Sequence, residues 1–318
     1  MSIILVKQLK MFLITGVMNK ILVTGGLGFI GYHLVKKLLQ DKKNKITIFD
    51  NLISDSASVE NELSNKETFD RLVYIYEDIN FINENRFKNL NFDVIYHLGA
   101  LARIQPSFEK PDKYFWHNIH GTISICQLAR RCNAKIVFAG SSSTYGGNRM
   151  NPYTFSKYTG EQTLMMYSEI YNVSTVIARF FNVYGDRQPI SGDYPTLIGI
   201  YQEAFKQKEP MTIVGSGEQR RDFTNVSDIV NGLLILAKGE YYGEIFNIGT
   251  GKNYSILEVA KMFSDEVQHI PARRGESKVT LADITEIKKL GYKPTINLKD
   301  YVANFRRAVD KKRGSKPS

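Results

Sequence analysis

The stretch Thr24-Gly25-Gly26-Leu27-Gly28-Phe29-Ile30-Gly31 constrains this chain more than any other. An apolar run, Lys20-Ile21-Leu22-Val23, feeds into it and reads as a short buried strand. After it, Ile30, Leu34, Val35 and Leu38 recur at helical spacing on one face. The order is strand, glycine turn, helix. The glycines fit G-x-G-x-x-G (Gly26, Gly28, Gly31) and also G-x-x-G-x-x-G (Gly25, Gly28, Gly31). Such glycines allow a tight turn and close approach of backbone to a pyrophosphate. The last one lets the helix pack on the strand, and the N–H groups of the first turn, at Phe29 and Ile30, face the anion. A glycine motif alone is weak evidence; the supporting context is an acidic residue roughly 20 residues on, at the end of the next strand. Lys45-Ile46-Thr47-Ile48-Phe49-Asp50 supplies it. Asp50, followed by Asn51, accepts hydrogen bonds from adenosine ribose hydroxyls, and its charge repels a 2′-phosphate. The expected cofactor is NAD rather than NADP.

Strand and helix patterns alternate through the first half. Leu72–Tyr76 reads as a third strand, and Asp78 and Ile79 just beyond it are placed to meet the adenine, one by its carboxylate and one by covering the ring. Asp93–Leu98 reads as a fourth strand, and Leu98, Gly99 and Ala100 at its end leave room for the cofactor. His97, one of five histidines, reads as packed or cofactor-adjacent and not as a catalyst. Two long helices are expected at Pro111–Cys132 and Pro152–Tyr171, each opening on a proline that a first turn tolerates, with Asn118 on the first. Lys135–Ala139 lies between them as a strand, and Val173–Phe181 reads as a sixth. The alternation then gives way to loops rich in Gly, Pro, Asp and Tyr. A second, smaller region starts there and interleaves with the first, because Phe246-Asn247-Ile248-Gly249 again looks like a core strand end.

With 318 residues, 43% of them hydrophobic, the chain has material for one large α/β domain or two unequal ones. Cys126 and Cys132 suggest neither a disulfide framework nor a metal site and point to a reducing, cytoplasmic compartment. The net charge of +10 comes without aromatic-basic interleaving, so it reads as a solvated basic surface and an anionic small substrate, not as a nucleic-acid interface. No apolar run reaches the roughly 18 residues of a membrane span. Residues 1–17 read as an extension ahead of Met18-Asn19-Lys20, which has the look of a natural start.

The sharpest chemical signal is Tyr153-Thr154-Phe155-Ser156-Lys157. Tyr and Lys four apart share one helical face. A lysine ammonium near a phenol, with the positive ring of oxidised cofactor, favours phenolate and brings the tyrosine toward use as a general base. The strand before it ends in Gly140-Ser141-Ser142-Ser143-Thr144-Tyr145-Gly146. A serine at that edge can hydrogen-bond the substrate hydroxyl that loses its proton.

Taken together, TGGLGFIG, FDNL, HLGALA, SSSTYG, YTFSK, RFFNVYGDRQ, GSGEQRRDFTNVSDIV and FNIGTGKNYSI resemble the extended short-chain dehydrogenase/reductase family, in its nucleotide-sugar-modifying branch. The resemblance runs from Lys20 to about Tyr301. It implies a Rossmann-type doubly wound α/β fold, with an NAD-binding part at 18–182 and a return segment near 225–249. A smaller substrate-binding part is implied at 183–224 and 250–318. It implies a homodimer through the two long helices. It also implies roles: Tyr153 as base, Lys157 as its partner and a holder of the nicotinamide ribose, and one or both of Ser141 and Ser142 positioning the hydroxyl. Asn182 and the arginines Arg221 and Arg273 would hold the substrate diphosphate or sugar, and Thr280 would stand where some relatives carry a gate beside the sugar.

The branches of this family differ at a few residues. A 4,6-dehydratase would carry Thr-Asp-Glu at the serine run, and a sugar-acid decarboxylase a Glu in that loop; this chain has Ser141-Ser142-Ser143. By elimination the expected reaction is epimerisation at C4 through a 4-keto sugar. The expected substrates are UDP-glucose/UDP-galactose or their N-acetyl analogues, with UDP-glucuronate still open. Three departures stand out: Arg220 where many relatives have Thr, Gly99 where Ala is usual, and a segment of only six residues, Gly147-Asn148-Arg149-Met150-Asn151-Pro152, between Gly146 and Tyr153. That short loop should leave the pocket more open, with Arg149 a candidate to take over part of the sugar contact.

Overall fold

The computed structural model describes residues 19–53, 57–192 and 194–314. The expected extension, residues 1–17, lies outside the described residues. The strands are β1 (Asn19–Thr24), β2 (Asn44–Asp50), β3 (Leu72–Tyr76), β4 (Val94–His97), β5 (Lys135–Ser141), β6 (Thr175–Phe180), β7 (Val183–Tyr184), β8 (Met211–Val214), β9 (Arg220–Asp222), β10 (Thr224–Asn225), β11 (Tyr242–Ile248), β12 (Asn253–Ser255) and β13 (Val267–Ile270). Seven of them form one parallel sheet in the order β3-β2-β1-β4-β5-β6-β11. The six strands expected from the apolar runs are present within two residues at each end. The seventh, β11, is the one that the Phe246–Gly249 segment announced, returning beside β6 late in the chain.

Both faces of this sheet are covered, so its strands are nearly continuous apolar runs: Leu22, Val23, Ile95, Ile136, Val137, Val176 and Ile177 are all buried. On one face pack α1 (Phe29–Leu38), through Leu34, Val35 and Leu38, and a later helix (Val226–Lys238), through Leu233 and Leu236. On the other face pack α2 (Gly121–Cys132), through Leu128 and Ala129, and α3 (Pro152–Tyr171), through Leu164 and Tyr167. The strand order reverses between β1 and β4, and a crevice at the carboxyl ends of the strands opens at such a switch point. A third apolar cluster gathers Tyr201, Ile213, Phe223, Val259, Phe263 and Leu298 from the segments after β6, with the two-stranded pairs β8–β13 and β9–β12 beside it.

The first of the two long helices is not uniform. It runs as α-helix over Pro111–Tyr114, as a π-helical turn over Phe115–His120, and again as α-helix in α2. A π-turn changes which residues face inward, and such turns recur at functional sites. This one carries Asn118 toward the sheet. The second long helix starts at a built cap. The Asn151 side chain accepts from the Thr154 N–H at 2.7 Å and donates to the Gly275 carbonyl at 3.0 Å, with Pro152 as the first helical residue. That cap fixes Tyr153 in the first turn. Among the described residues no helix is long and apolar enough to cross a membrane.

Candidate active site

A cleft of about 920 Å³ opens at the carboxyl ends of the strands. It runs from the glycine turn after β1 to the loops around 189–196 and 273–280.

At the first end the wall is backbone. Gly25 has φ +66°, and a Cβ on it would sit 2.9 Å from the Cα of Gly99. A Cβ on Gly31 would collide with the Gly25 carbonyl oxygen. Gly28 caps α1 without a side chain, and the first turn of α1 holds no acidic residue, so its N–H groups are left for an anion. Gly25, Gly28, Phe29, Ile30 and Gly31 all line the cleft. These features fit the pyrophosphate of a dinucleotide, whose cradle any Cβ would fill.

Asp50, at the end of β2, is buried and lines the same end. Its two oxygens accept from the N–H of Leu27 (3.0 Å) and of Leu52 (2.9 Å), which leaves each a lone pair for a ribose hydroxyl. Burial raises its pKa above the usual carboxylate range, and those two backbone bonds oppose the rise. Asn51, Ile79, Leu98, Gly99 and Ala100 also line the cleft.

Three expected cofactor residues, Asp78, Asn118 and Lys157, are not on the cleft wall. Asp78 is not a lining residue: its carboxylate takes the Asn80 N–H at 2.9 Å and meets His117 Nδ1 at 3.0 Å, so it caps a turn and anchors a histidine that does line the cleft. Asn118 sits behind the wall. Its amide is spent on the Leu101 N–H (2.8 Å), the Leu101 carbonyl (2.9 Å) and Ser156 Oγ (2.9 Å). The π-turn brings it there as a brace between the loop after β4 and α3. His97 is packed, as expected: it meets Thr24 Oγ1 at 2.8 Å and Thr122 Oγ1 at 3.2 Å, and burial pushes it down to about 3.

In the middle of the cleft, the Tyr153 hydroxyl donates to Ser141 Oγ at 3.3 Å. Ser141 Oγ in turn donates to Ser143 Oγ at 2.9 Å and accepts the Ser143 N–H at 3.2 Å. The cap at Asn151 and the end of β5 thus bring together two groups twelve residues apart. Ser142 also lines the cleft, but it is Ser141 that meets the Tyr153 hydroxyl. Desolvation raises the Tyr153 pKa; the Ser141 bond and the charge of Arg103 lower it, and Glu161 raises it. The Lys157 ammonium lies 4.4 Å from the centre of the Phe138 ring, outside the lining, and burial pushes it down to about 8 against the pull of Glu161.

At the far end the wall is side chains from separate segments. Asn182, Arg221, Arg273 and Thr280 all line it. Asn182 Nδ2 donates to the Asp222 carbonyl at 3.3 Å. Arg221 donates to the Arg220 carbonyl at 2.9 Å and stands 3.7 Å from the Glu276 carboxylate. Thr280 is buried, and among the described residues its Oγ1 has no hydrogen-bond partner. The neighbouring arginines turn elsewhere: Arg220 to Asn253 and Glu258, Arg274 over the Phe108 ring. Arg149 is exposed and off the lining, so it takes no part of the sugar end. The rim beside the short loop is occupied, because Ser277 packs onto Gly146 where a Cβ would collide with it.

Sequence reasoning missed Arg103, Ser143, His117, Tyr194 and Ser277, all of which line the cleft. Ser143 was within reach as the third serine of the run. The others stand in loops or a π-turn, where neither period nor motif marks a side chain as inward.

A family model described as the NAD dependent epimerase/dehydratase family matches residues 21–249. YtcB of Bacillus subtilis, an uncharacterized UDP-glucose epimerase, is 34% identical over 90% of this chain and 96% of its own. UDP-glucuronic acid decarboxylase 2 of Arabidopsis thaliana is 30% identical over 93% of this chain and 71% of its own. Among solved structures, the UDP-N-acetylglucosamine 4-epimerase of Methanobrevibacter ruminantium superposes with a TM-score of 0.81 at 31% identity, covering 94% of this chain and all of that one. The UDP-glucuronic acid 4-epimerase of Bacillus cereus, in complex with UDP-glucuronic acid and NAD, superposes at 0.81 with 28% identity, over 92% and 99% of the two chains.

Proposed function

This chain belongs to the NAD dependent epimerase/dehydratase family, and from that premise we propose that it inverts C4 of a UDP-linked hexose. It is an enzyme that acts on nucleoside diphosphate sugars with NAD as cofactor. The observation that carries the finer reading is the Tyr153–Ser141–Ser143 chain of hydroxyls at the centre of the cleft, with no carboxylate in the serine run. Elimination of water calls for a further acid and base at that edge. Oxidation and return of hydrogen at one carbon calls only for a base that also gives the proton back.

NAD, when bound, supplies the acceptor and donor of the C4 hydrogen. Tyr153 takes the proton of the C4 hydroxyl and returns it to the opposite epimer. Ser141 holds that hydroxyl and shares the phenol's hydrogen bond. Asp50 and the glycine turn hold the dinucleotide; Arg221 and Arg273 hold the substrate diphosphate, a task that suits a planar guanidinium. Asn182 and Thr280 border the sugar. Phe115, Trp116, Ile123 and Phe155 form an exposed apolar face on the two long helices, and the partner we assign to it is a second copy of this chain.

The test is incubation of purified protein with UDP-galactose, UDP-N-acetylgalactosamine and UDP-glucuronate without added cofactor, the products being resolved by chromatography. Conversion of any of them to its C4 epimer supports the reading. A 4-keto-6-deoxy sugar, a pentose or free NADH would replace it with dehydration, decarboxylation or net oxidation.

A further inference from the structure

Arg103 lies in the loop after β4, between Ala102 and Ile104, and lines the cleft. Its φ is +80°, in the left-handed region that an arginine adopts only under strain. The residues before it are clamped. The Asn118 amide holds both backbone groups of Leu101, and the Tyr114 hydroxyl donates to the Ala102 carbonyl at 2.5 Å. The strain is thus held by its surroundings, and what it delivers is a guanidinium inside the cleft.

That guanidinium is anchored by a neutral group. Its Nε and Nη2 donate to the Tyr194 carbonyl at 3.4 and 3.2 Å. An arginine has five N–H groups, so donors remain, and a carbonyl carries no charge to balance the cation. None of the ion pairs among the described residues involves Arg103. Its side chain stays exposed on the cleft wall, open to a ligand. Its loop lies on the Tyr153 side of the cleft, because Tyr114, which bonds the Ala102 carbonyl, meets the Tyr153 ring edge-on with centroids 6.2 Å apart. The two cations assigned to the diphosphate, Arg221 and Arg273, come from other segments. A third cation on this wall, strained into place and in no ion pair among the described residues, gains no charge partner from a neutral hexose.

We propose that Arg103 is a specificity-determining residue that binds a carboxylate on the sugar, so that the preferred substrate is a UDP-linked sugar acid. This rests on the C4-epimerase reading and sharpens it. A planar guanidinium matches a carboxylate through two parallel bonds, which a lysine cannot reproduce.

The experiment uses the full chain saturated with NAD. Calorimetry measures binding of UDP-glucuronate, UDP-glucose and UDP to the wild type, Arg103→Gln and Arg103→Lys; chromatography follows turnover of both sugars. The wild type is expected to prefer the acid by about 10–100-fold, the size of a charge-assisted hydrogen bond. Arg103→Gln should erase that preference, and Arg103→Lys should keep only part of it. Retained NAD and an unchanged melting temperature show that the variants are folded. Equal binding of the two sugars by the wild type overturns the proposal, as does an equal loss for UDP, which would put Arg103 on the diphosphate. Asp193, outside the described residues and next to Tyr194, is the rival anion. An acid preference that emerges only in Asp193→Asn would assign Arg103 to it and overturn the proposal. Preferential binding of the acid without epimerisation of either sugar would sink the C4 reading and leave Arg103 as the selector. Epimerisation without acid preference would do the reverse.

Discussion

The two ends of the cleft are built from different material. At the cofactor end the wall is backbone and short side chains with their bonds already made. Gly25 and Gly31 shape the trough, and Thr24 Oγ1 meets both His97 Nδ1 at 2.8 Å and the Gly99 N–H at 3.0 Å. At the substrate end the wall is long side chains from the segments around 103, 182, 194, 221 and 273–280, with donors unspent: Thr280 Oγ1 has no partner, and Arg221 leans on carbonyls and a carboxylate 3.7 Å away. The cofactor is the same in every turnover of such a fold, and a rigid backbone mould suits it. The sugar varies, and an end made of separate side chains can be retuned by one or two substitutions without disturbing the sheet.

The largest expected effect lies where the two ends meet. Tyr153→Phe removes the proton acceptor and leaves the ring, the cap and the glycine turn in place. Turnover should fall by about 10²–10⁴-fold, the usual worth of a positioned acid–base group. NAD, measured by its release on denaturation, should stay bound. Loss of NAD together with activity would mean that the two ends are not separable.

The same division explains what could be read from the chain. Backbone constraints leave marks in sequence: a glycine where a Cβ cannot fit, an acid at a strand end, an apolar run where both faces are covered. Hence the sheet, the glycine cradle, Asp50 and the pairing of the serine run with Tyr153 were all legible. Which serine meets the phenol was not, because the one-residue register of Ser141–Ser143 depends on where β5 stops. Asn118 and Asp78 read as cofactor contacts, since helix and strand-end positions suit that role. The π-turn and a capped 3-10 turn redirect them to structural bonds, and neither turn has a signature in residue type. Arg103 was invisible for a further reason: a positive φ at a non-glycine residue cannot be seen in a sequence, and a loop arginine reads as solvated.

At the substrate end, Arg221→Leu should raise KM for the nucleotide sugar by about 10–100-fold, because it removes a charge-assisted contact to phosphate. It should leave NAD affinity alone. A fall in kcat with KM unchanged would take Arg221 off the diphosphate. At the cofactor end, Asp50→Asn keeps the shape and removes the charge. NAD should bind about tenfold more weakly, the loss of one charged hydrogen bond, and discrimination against NADP should fall with it. Equal losses for both dinucleotides would mean that Asp50 serves only the Leu27 and Leu52 N–H groups.

The smallest effect sharpens the comparison most, because its two readouts should move in opposite directions. Thr280 is buried at the substrate end with an unpartnered hydroxyl, and burying such a group costs about 1–3 kcal/mol. Valine has the same branching and no hydroxyl. Thr280→Val should therefore raise the melting temperature of the substrate-free protein by a few degrees while weakening substrate by about threefold to tenfold, as a neutral hydrogen bond to the ligand is lost. At the cofactor end His97, Thr24 and Asp50 are all bonded, and each would lose stability on truncation. A lower melting temperature in Thr280→Val would show that the hydroxyl is held within the protein, and the contrast between a finished cofactor end and an open substrate end would fail at that position.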